Sequence, residues 1–516
     1  MTTEAKAIGG GLAALCLGVW ASLSAAPPPP QPDKTESAMT QILGRPTDRS
    51  ITVSVLAPED LEAYFEYGVK SGAYTAKTSP VKSSSGKPLE ILLEPLKANT
   101  RYYYRMRSRR PGTGAYSAGT EYTFYTQRAP GSTYTFGVQG DSHPERIHRM
   151  YEPDLYVLTM RNVRRDRPDF YIMLGDDFNV DQLFNRDNLN ADTVARLYID
   201  QRRFLGLMAS ATSLFLVNGN HEQAAAIHLN GTPNNPAIYA GKARNLYYPL
   251  PVPDNFYTGD TEPVEFLGLR RDYYAWTWGD ALFVTIDPYW HSPVEIDAAI
   301  GGGGGGERQG GGQGERKGDR KGDKKGERKG DKKGGGGPGG RNRDGWALTM
   351  GDGQYQWLKK TLEQSKARYK FVFSHHVSGT GRGAIEVTDL YEWGGKNRAG
   401  EWEFDKKRPG WAMPVHQLMV KNGVTIFFQG HDHLFARQER DGIVYQETPN
   451  PADATYTVFN QEAYRSGDIL PNAGYLRVTV SPANVKVDYI RAYLPQDEKP
   501  DHKNGEVAFS YTVAGK

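Results

Sequence analysis

Five short apolar segments, each followed directly by a potential metal ligand, constrain the fold of this chain more than any other feature. Each segment contains four to seven mostly apolar residues, as expected for a strand that is buried on both faces. The motifs that follow them are Gly140-Asp-Ser-His143, Gly175-Asp176, Gly219-Asn-His221, Ser374-His-His376 and Gly430-His-Asp-His433. Because the carboxyl ends of parallel strands meet at one edge of an open α/β sheet, we expect these side chains to converge on one site.

The segments around these motifs predict helices that alternate with strands, which is typical of an α/β fold. The pattern predicts helices over 148–166, 191–207 and 352–366, a hairpin over 272–287, strands over 475–480 and 485–490, and a weaker strand over 507–513. Either Asn190 or Asp192 is placed to cap the second helix. Together these elements predict an α/β domain over residues 132–495, followed by a C-terminal tail over 496–516.

Residues 39–128 have a different pattern, in which apolar and polar residues alternate with a period of two over several short runs. Turn residues separate these runs at the spacing of a β-sandwich. The stretch Leu96-Lys-Ala-Asn-Thr-Arg-Tyr102 resembles the segment of fibronectin type III domains that contains a tyrosine corner. A chain of 516 residues is too long for a single core. We therefore predict a fibronectin type III-like sandwich before the α/β domain. It acts either as a packing partner or spacer, or as a part that shapes the site or binds polymer.

The first 26 residues have the features of an export signal. An apolar stretch follows Lys6, and Ser24-Ala-Ala26 provides small residues at a cleavage site. The stretch is too short and too rich in glycine for a good membrane span, although an uncleaved anchor is the alternative. Cys16, the single cysteine, lies within it, so cleavage leaves a chain without disulfides. We expect an exported protein, periplasmic, extracellular or at the cell surface, with a Pro-rich linker over 27–38.

Residues 301–345 break the α/β pattern. Residues 314–333 are five tetrads of the form Gly-acid-base-base, and no apolar residue interrupts them. Such a tract cannot bury apolar surface and is predicted to be disordered. It is either a solvated insertion, a nonspecific contact for anionic polymer, lipid or phosphorylated substrate, or an arm over the site. The tract has no aromatic residues, and the whole chain has a formal charge of only +3. Neither the tract nor the net charge therefore predicts specific recognition of nucleic acid.

In chain order, the five motifs resemble the signature blocks of the calcineurin-like metallophosphoesterases, a superfamily that includes the purple acid phosphatases. The resemblance spans about residues 134–490, and a sandwich before the catalytic domain resembles the purple acid phosphatases in particular. The resemblance implies a four-layer αββα sandwich with a two-metal centre at its sheet edges. It implies Fe, Zn or Mn as the metal ions.

The resemblance also implies which side chains hold the metals. The expected ligands are Asp141, His143 and His433 for one ion and Asn220, His375 and His431 for the other, with Asp176 bridging the two. A carboxylate suits the bridging position because each of its oxygens can bind one cation, and imidazoles suit transition metals. His375 is favoured over its neighbour His376 because the family's ligand is the first histidine of its block.

The chain departs from the purple acid phosphatases at two positions. Asn179 stands where those enzymes have a metal-binding tyrosine, which implies that this protein lacks tyrosine-to-iron charge transfer and is not purple. His143 stands where they have glycine and would supply a ligand in place of that tyrosine. The identity of the metals is therefore open.

By resemblance, His221 protonates the leaving group while a metal-bound hydroxide attacks phosphorus. An imidazole suits this role because its pKa lies near working pH. Either Asn179 or Asp181 is expected to orient His221. Asp432 lies between two expected ligands and, in an extended segment, faces away from them. We therefore expect Asp432 to support the metal ligands or the local structure, and His376 to support the ligands or face the substrate, without binding the metals.

These observations predict an exported dinuclear-metal hydrolase of phosphate monoesters or diesters. The alternative within the same class is a phosphodiesterase or nucleotidase that acts on nucleotides or nucleic acid. The alternative from another class is a noncatalytic polymer-binding protein with a vestigial phosphatase core. All seven expected ligands and His221 are present, which argues against decay of the core. No transmembrane segment is expected after signal cleavage.

Overall fold

The computed structural model describes residues 39–186, 188–294, 344–379 and 381–515. The predicted export signal, the Pro-rich linker and the low-complexity tract as far as residue 343 lie outside the described residues.

The larger of the two main sheets has nine strands within the described part of the chain. In order across the sheet they are β22 (Val507–Ala514), β21 (Asn484–Arg491), β20 (Gly474–Val480), β9 (Tyr134–Gln139), β10 (Phe170–Met173), β11 (Ser213–Leu216), β1 (Thr40–Gly44), β2 (Ile51–Leu56) and β6 (Leu89–Leu93). The central strands β9, β10 and β11 are parallel, so three of the five motifs follow neighbouring strands at one edge. The predicted tail ends in β22, which pairs with β21 along most of its length.

The second main sheet has eight strands among the described residues. In order they are β12 (Thr258–Gly259), β13 (Tyr274–Trp278), β14 (Ala281–Thr285), β15 (Tyr369–Phe373), β16 (Ile426–Gln429), β18 (Ile443–Glu447), β17 (Phe435–Arg440) and β19 (Asp468–Leu470). Strands β13 and β14 form the predicted hairpin, with Gly279 at a positive φ of 56° in its turn. The parallel neighbours β15 and β16 precede the two remaining motifs.

Helices cover the face of each main sheet that is turned away from the other sheet. They are α1 (Pro153–Asp166), α2 (Ala191–Ala209), α3 (Pro236–Tyr247), α4 (Gly351–Gln364), α5 (Tyr391–Gly394), α6 (Phe404–Lys407) and α7 (Val415–Lys421). Apolar side chains of α1, α2 and α3 form one core with the nine-stranded sheet. Side chains of α4 and α7 form another core with the eight-stranded sheet. The predicted four-layer αββα sandwich is thereby confirmed.

Two helix boundaries have clear local causes. Helix α2 begins after Asn190, whose side chain accepts hydrogen bonds from the backbone N–H groups of Asp192 and Thr193, so Asn190 rather than Asp192 is the cap. Helix α1 begins at Pro153, later than predicted from the apolar pattern. The preceding residues instead form a turn in which His148 N–H donates to the Tyr151 carbonyl.

The N-terminal β region forms a sandwich that is consistent with a fibronectin type III-like domain. Strands β1, β2 and β6 face a second sheet of β3 (Leu61–Gly68), β4 (Ala76–Lys77), β5 (Val81–Ser83), β7 (Arg101–Arg109) and β8 (Ser117–Tyr125) across a shared apolar core. The predicted tyrosine corner is present, because the Tyr102 hydroxyl accepts a hydrogen bond of 2.9 Å from Lys97 N–H. Strand β1 also pairs in parallel with β11, so the sandwich and the α/β region share one continuous sheet.

A buried arginine strengthens the junction between the sandwich and the α/β region. Arg202 of α2 is fully buried, and its guanidinium donates to Thr40 Oγ1 at 3.0 Å and to the Ser54 carbonyl at 3.0 Å. Because an unpaired buried charge is strongly destabilising, these contacts tie α2 to the first two strands.

Aromatic side chains fill the space between the two main sheets, and Phe136 lies at their centre. Its ring stacks on Phe170 at 5.5 Å and meets Phe283 of the opposite sheet edge to face at 5.1 Å. We expect Phe136→Ala to lower the free energy of unfolding by about 3–5 kcal/mol, because the truncation leaves a cavity between the sheets. Chemical denaturation checks this value. Leu92→Ala, at a position that is 45% exposed, is the matched control and should change stability by less than about 0.5 kcal/mol.

Candidate metal centre

The five motifs meet where the edges of the two main sheets come together. Asp141, Asp176 and Asn220 follow β9, β10 and β11 of the nine-stranded sheet, whereas the histidine motifs follow β15 and β16 of the eight-stranded sheet. The contact between Asp141 Oδ2 and His433 Nε2, at 2.9 Å, joins the two sheets directly. The convergence predicted from the strand ends is therefore present in the structure.

The backbone adopts unusual conformations at several of the expected ligands. Four of them have φ in the left-handed region: His143 (51°), Asp176 (57°), His431 (77°) and His433 (55°). Such residues each cost about 1–3 kcal/mol and cluster at functional sites. Close approach adds a second constraint, because a Cβ atom at Gly430 would lie 2.7 Å from Asp141 Oδ1. The backbone thus adopts strained conformations that bring the expected ligand atoms close together.

Asp141, His143 and His433 form the first group of ligand atoms. His433 Nε2 lies 2.9 Å from both Asp141 Oδ2 and His143 Nε2. His143 Nε2 lies 3.6 Å from Asp141 Oδ2. All three side chains are buried, and their ligand atoms lie within 4.8 Å of one another, which is close enough for one cation to contact all three.

Asn220, His375 and His431 form the second group. Asn220 Oδ1 lies 3.0 Å from His375 Nε2 and 3.1 Å from His431 Nδ1. Asp176 lies between the two groups, because its Oδ2 atom is 3.3 Å from His375 Nε2 and 3.7 Å from His143 Nε2. These side chains thus lie in two groups of three with the Asp176 carboxylate between them, and the ligand sets that the resemblance implies have the same members.

The hydrogen-bond pattern fits a bound cation. His375 Nδ1 lies 2.9 Å from the Leu174 carbonyl, which can only accept, so Nδ1 bears the proton. In a neutral imidazole, Nε2 then directs its lone pair towards Asn220 Oδ1 and Asp176 Oδ2, which are themselves acceptors. Acceptors that face one another need a proton or a cation between them. Histidines that bind metals commonly donate their other ring N–H to a carbonyl or carboxylate in this way.

The electrostatics of the centre also favour a cation. Burial by itself raises the pKa of Asp141, but the imidazoles of His375 and His433 outweigh burial and hold that pKa well below its usual range. Burial lowers the pKa of His375, but the carboxylates of Asp176 and Asp141 outweigh it and raise the pKa to about 9. The carboxylates thus retain a proton on a buried imidazole, and a metal ion would take the place of that proton.

His221 points its two ring nitrogens at different partners. Nδ1 lies 2.6 Å from Asp181 Oδ2, whereas Nε2 lies 3.8 Å from Asp176 Oδ2 and 3.5 Å from Arg146 Nη2. Burial lowers the pKa of His221, but Asp176 and Asp181 together outweigh burial and raise the pKa to about 10. The Asp181 carboxylate therefore fixes the ring and favours a proton on the nitrogen that faces the centre.

Asn179, the other predicted partner of His221, contacts a different histidine. Asn179 Nδ2 lies 2.9 Å from His143 Nδ1, and Glu145 Oε1 lies at the same distance from that nitrogen. Of the two candidates, Asp181 is thus the one in contact with His221, and Asn179 holds an expected ligand instead.

His376 and Asp432 each contact the loop over 381–383. His376 is fully buried, and its Nε2 accepts a hydrogen bond of 3.2 Å from Gly381 N–H. The Asp432 carboxylate accepts from Arg382 Nη1 at 2.8 Å and from Gly383 N–H at 2.9 Å. Both residues therefore fix the loop over 381–383 against the ligand-bearing segments.

Some supporting residues escape sequence reasoning. Asn472 Nδ2 donates to the His433 carbonyl at 2.7 Å, yet Asn472 lies in an irregular loop without a strand-end pattern. Glu145 offered a weak signal, since it is an acidic residue two positions after His143. Glu222 accepts hydrogen bonds from four backbone N–H groups and joins the loop after β10 to the loop after β11.

Fold and side-chain geometry together define a metallophosphatase-like α/β protein whose grouped His and Asp side chains could bind metals. The family model of the calcineurin-like phosphoesterases matches residues 134–435. The chain belongs to this family, and the resemblance predicted from the five motifs is confirmed. The protein is accordingly a phosphoric ester hydrolase.

Two solved structures illustrate the similarity of fold. A purple acid phosphatase from seeds of yellow lupin (Lupinus luteus) is 15% identical with a TM-score of 0.53, and the match covers 93% of this chain and 74% of that one. The structure of PhoD is 14% identical with a TM-score of 0.58, covering 94% of this chain and 92% of that one. None of the curated proteins matches the chain.

Among the described residues, no helix has both the length and the apolar character needed to cross a bilayer.

Proposed function

We propose that this protein is an exported phosphoesterase that holds two metal ions, one in each group of ligands, with Asp176 between them. The observation that supports this most strongly is the close approach of buried Nε2, Oδ1 and Oδ2 atoms of the expected ligands, which lie 2.9–3.7 Å apart. Such groups of atoms suit cations, and three ligand atoms in each group leave positions for a substrate and water. Export is supported by the sequence pattern of the first 26 residues.

Bound in this centre, a pair of metal ions would supply hydroxide at neutral pH and offset the charge that develops on the phosphoryl oxygens. The protein's own contribution is positioning. Asp176 lies between the two groups of ligands. Its Oδ1 accepts a hydrogen bond of 2.9 Å from His221 N–H, which fixes the orientation of the carboxylate. Backbone hydrogen bonds to Glu222 hold the two loops that present Asp176 and Asn220.

His221 is the proposed proton donor to the leaving group. Its Nδ1 is occupied by Asp181, which leaves Nε2 facing the centre with the proton that a departing alkoxide requires. The substrate class is a phosphate monoester or diester. The nucleotide-specific alternative finds no particular support among the described side chains.

Metal analysis tests this proposal. We expect the purified full chain to hold about two metal ions, because two complete sets of ligands are present. Removal of metal by a chelator should abolish turnover and lower Tm by about 5 °C, since ions that bind the folded state stabilise it. Adding back Mn, Zn or Fe should restore both Tm and turnover. Turnover is measured with p-nitrophenyl phosphate, bis-p-nitrophenyl phosphate and nucleotides.

The same experiment separates the proposal from a vestigial core. A chain that holds well below two ions and hydrolyses none of these esters would contradict the proposal. Turnover that survives complete metal removal would contradict it as well. Hydrolysis of nucleotides alone would favour the nucleotidase alternative over a general phosphoesterase.

A further inference from the structure

Arg146 lies at the mouth of the metal centre and is held there by several contacts. Its backbone N–H donates to the His143 carbonyl at 2.9 Å, which closes a turn directly after the first motif. Its Nε atom lies 3.1 Å from Glu145 Oε1, and its Nη1 donates to Met150 Sδ at 3.2 Å. The side chain is 32% exposed, so Arg146 can be reached from solvent. The guanidinium is thus a fixed cation rather than a mobile surface group.

The third contact of Arg146 places its charge beside the proposed proton donor. Nη2 lies 3.5 Å from His221 Nε2, the nitrogen that faces the centre. A guanidinium has N–H donors and no acceptor. Arg146 therefore offers hydrogen-bond donors on the side of the centre that His221 faces.

The carboxylate nearest to Arg146 is shared with a histidine. Glu145 Oε1, which pairs with Arg146, also lies 2.9 Å from His143 Nδ1. Arg382, a second arginine near the centre, differs in this respect, because it pairs at 2.8 Å with the buried carboxylate of Asp432 and also donates to the His431 carbonyl. Arg382 is therefore part of the loop structure, whereas Arg146 is placed to meet an anion from solution.

We infer that the Arg146 guanidinium binds a non-bridging phosphate oxygen of the substrate beside His221, and that this contact makes the enzyme prefer phosphomonoesters to phosphodiesters. The inference rests on the proposed phosphoesterase function. A guanidinium suits the task because it is always charged and its N–H groups match the spacing of phosphate oxygens.

The preference for monoesters follows from charge. A phosphomonoester has three terminal oxygens and a charge of about −1.5 to −2 at pH 7. A diester exchanges one of these oxygens for a second ester linkage and retains a single negative charge. The guanidinium therefore attracts the monoester more strongly, and its removal should weaken monoester binding more than diester binding.

Kinetics of the metal-loaded full chain test this inference. In Arg146→Ala we expect kcat/KM for p-nitrophenyl phosphate to fall about 10- to 100-fold, mainly through KM, as a charged hydrogen bond is lost. For bis-p-nitrophenyl phosphate we expect a fall of less than about threefold, because the monoanion gains less from the contact. For p-nitrophenyl phosphate, kcat/KM of Arg146→Lys should lie between the values for wild type and Arg146→Ala, since lysine retains the charge without the planar arrangement of N–H groups.

A binding measurement supplies a readout that does not depend on turnover. Calorimetry with inorganic phosphate should show that Arg146→Ala binds it about 10- to 100-fold more weakly than wild type. Arg196→Ala is the matched control, because Arg196 lies on α2, has 70% of its side chain exposed and pairs with Asp200. Its kinetics and phosphate affinity should equal those of wild type.

Two outcomes would overturn the inference. Equal losses of kcat/KM for the monoester and the diester would mean that Arg146 acts through His221 and not through the phosphate. Unchanged phosphate affinity in Arg146→Ala would exclude the contact. If the wild-type chain hydrolyses neither ester, the proposed function fails by itself, and weaker phosphate binding by Arg146→Ala would still support the contact.

Discussion

Replacing Asp176 with asparagine is expected to lower kcat for p-nitrophenyl phosphate by about 1000-fold or more. The Asp176 Oδ2 atom faces ligands of both groups, at 3.3 Å from His375 Nε2 and 3.7 Å from His143 Nε2. Asparagine has a similar shape but lacks the negative charge that, under the proposed function, would hold two cations close together. A metal pair stabilises the transition state by several kcal/mol, and each 1.4 kcal/mol corresponds to about tenfold in rate.

Metal content must be measured together with the rate. We expect Asp176→Asn to retain the fold, judged by circular dichroism, and to lose at least one ion per chain, judged by elemental analysis. Asp200→Asn is the matched control, since this side chain is 52% exposed on α2 and pairs with Arg196. An Asp176→Asn variant that keeps two ions and a rate within tenfold of wild type would show that the carboxylate does not join the two positions.

The second large effect concerns His221 and depends on the leaving group. In His221→Gln we expect kcat for an alkyl phosphate to fall about 100- to 10,000-fold, because an alkoxide leaves poorly without a proton. Nitrophenolate needs no proton to leave, so the loss with p-nitrophenyl phosphate should be much smaller. Asp181→Asn should have an intermediate effect, because it removes the carboxylate at 2.6 Å that holds the His221 ring.

A series of aryl and alkyl phosphates makes this prediction quantitative. The rate of the wild type should depend weakly on the pKa of the leaving group, whereas the rate of His221→Gln should fall steeply as that pKa rises. His148→Gln is a suitable control, because the His148 side chain is 74% exposed and pairs with Glu152 away from the ligands. Equal losses for alkyl and nitrophenyl esters would argue that His221 binds the phosphate and does not donate the proton.

The parts of the site that were predictable are those with a local signal. An apolar strand followed at once by Asp, Asn or His can be identified within ten residues, and the parallel order of strands then determines that the ends meet. From the sequence alone, this reasoning places Asp141, Asp176 and Asn220 at one edge of a parallel sheet. The four-layer arrangement came from the resemblance of the motifs to a family, because periodicity alone does not determine how two sheets pack.

The parts that were not predictable depend on contacts between distant residues. Asn179 and Asp181 are equally plausible partners for His221 from spacing, and only the short helix over Val180–Arg186 determines that Asp181 reaches the ring. Asn472 supports His433 from a position 39 residues further along the chain, in a loop without periodicity. The pairing of β1 with β11 has no local signal either, since both strands have ordinary apolar sequences.

That shared sheet makes the N-terminal sandwich a structural neighbour of the metal centre and not a detachable spacer. Strand β11, which leads into Asn220, is flanked by β10 on one side and by β1 on the other. Loss of β1 would uncover the edge of β11 and remove Thr40, whose hydroxyl accepts a hydrogen bond from the buried Arg202 guanidinium of α2. The position of Asn220 thus depends on the first strand of the sandwich as well as on its neighbours in the α/β region.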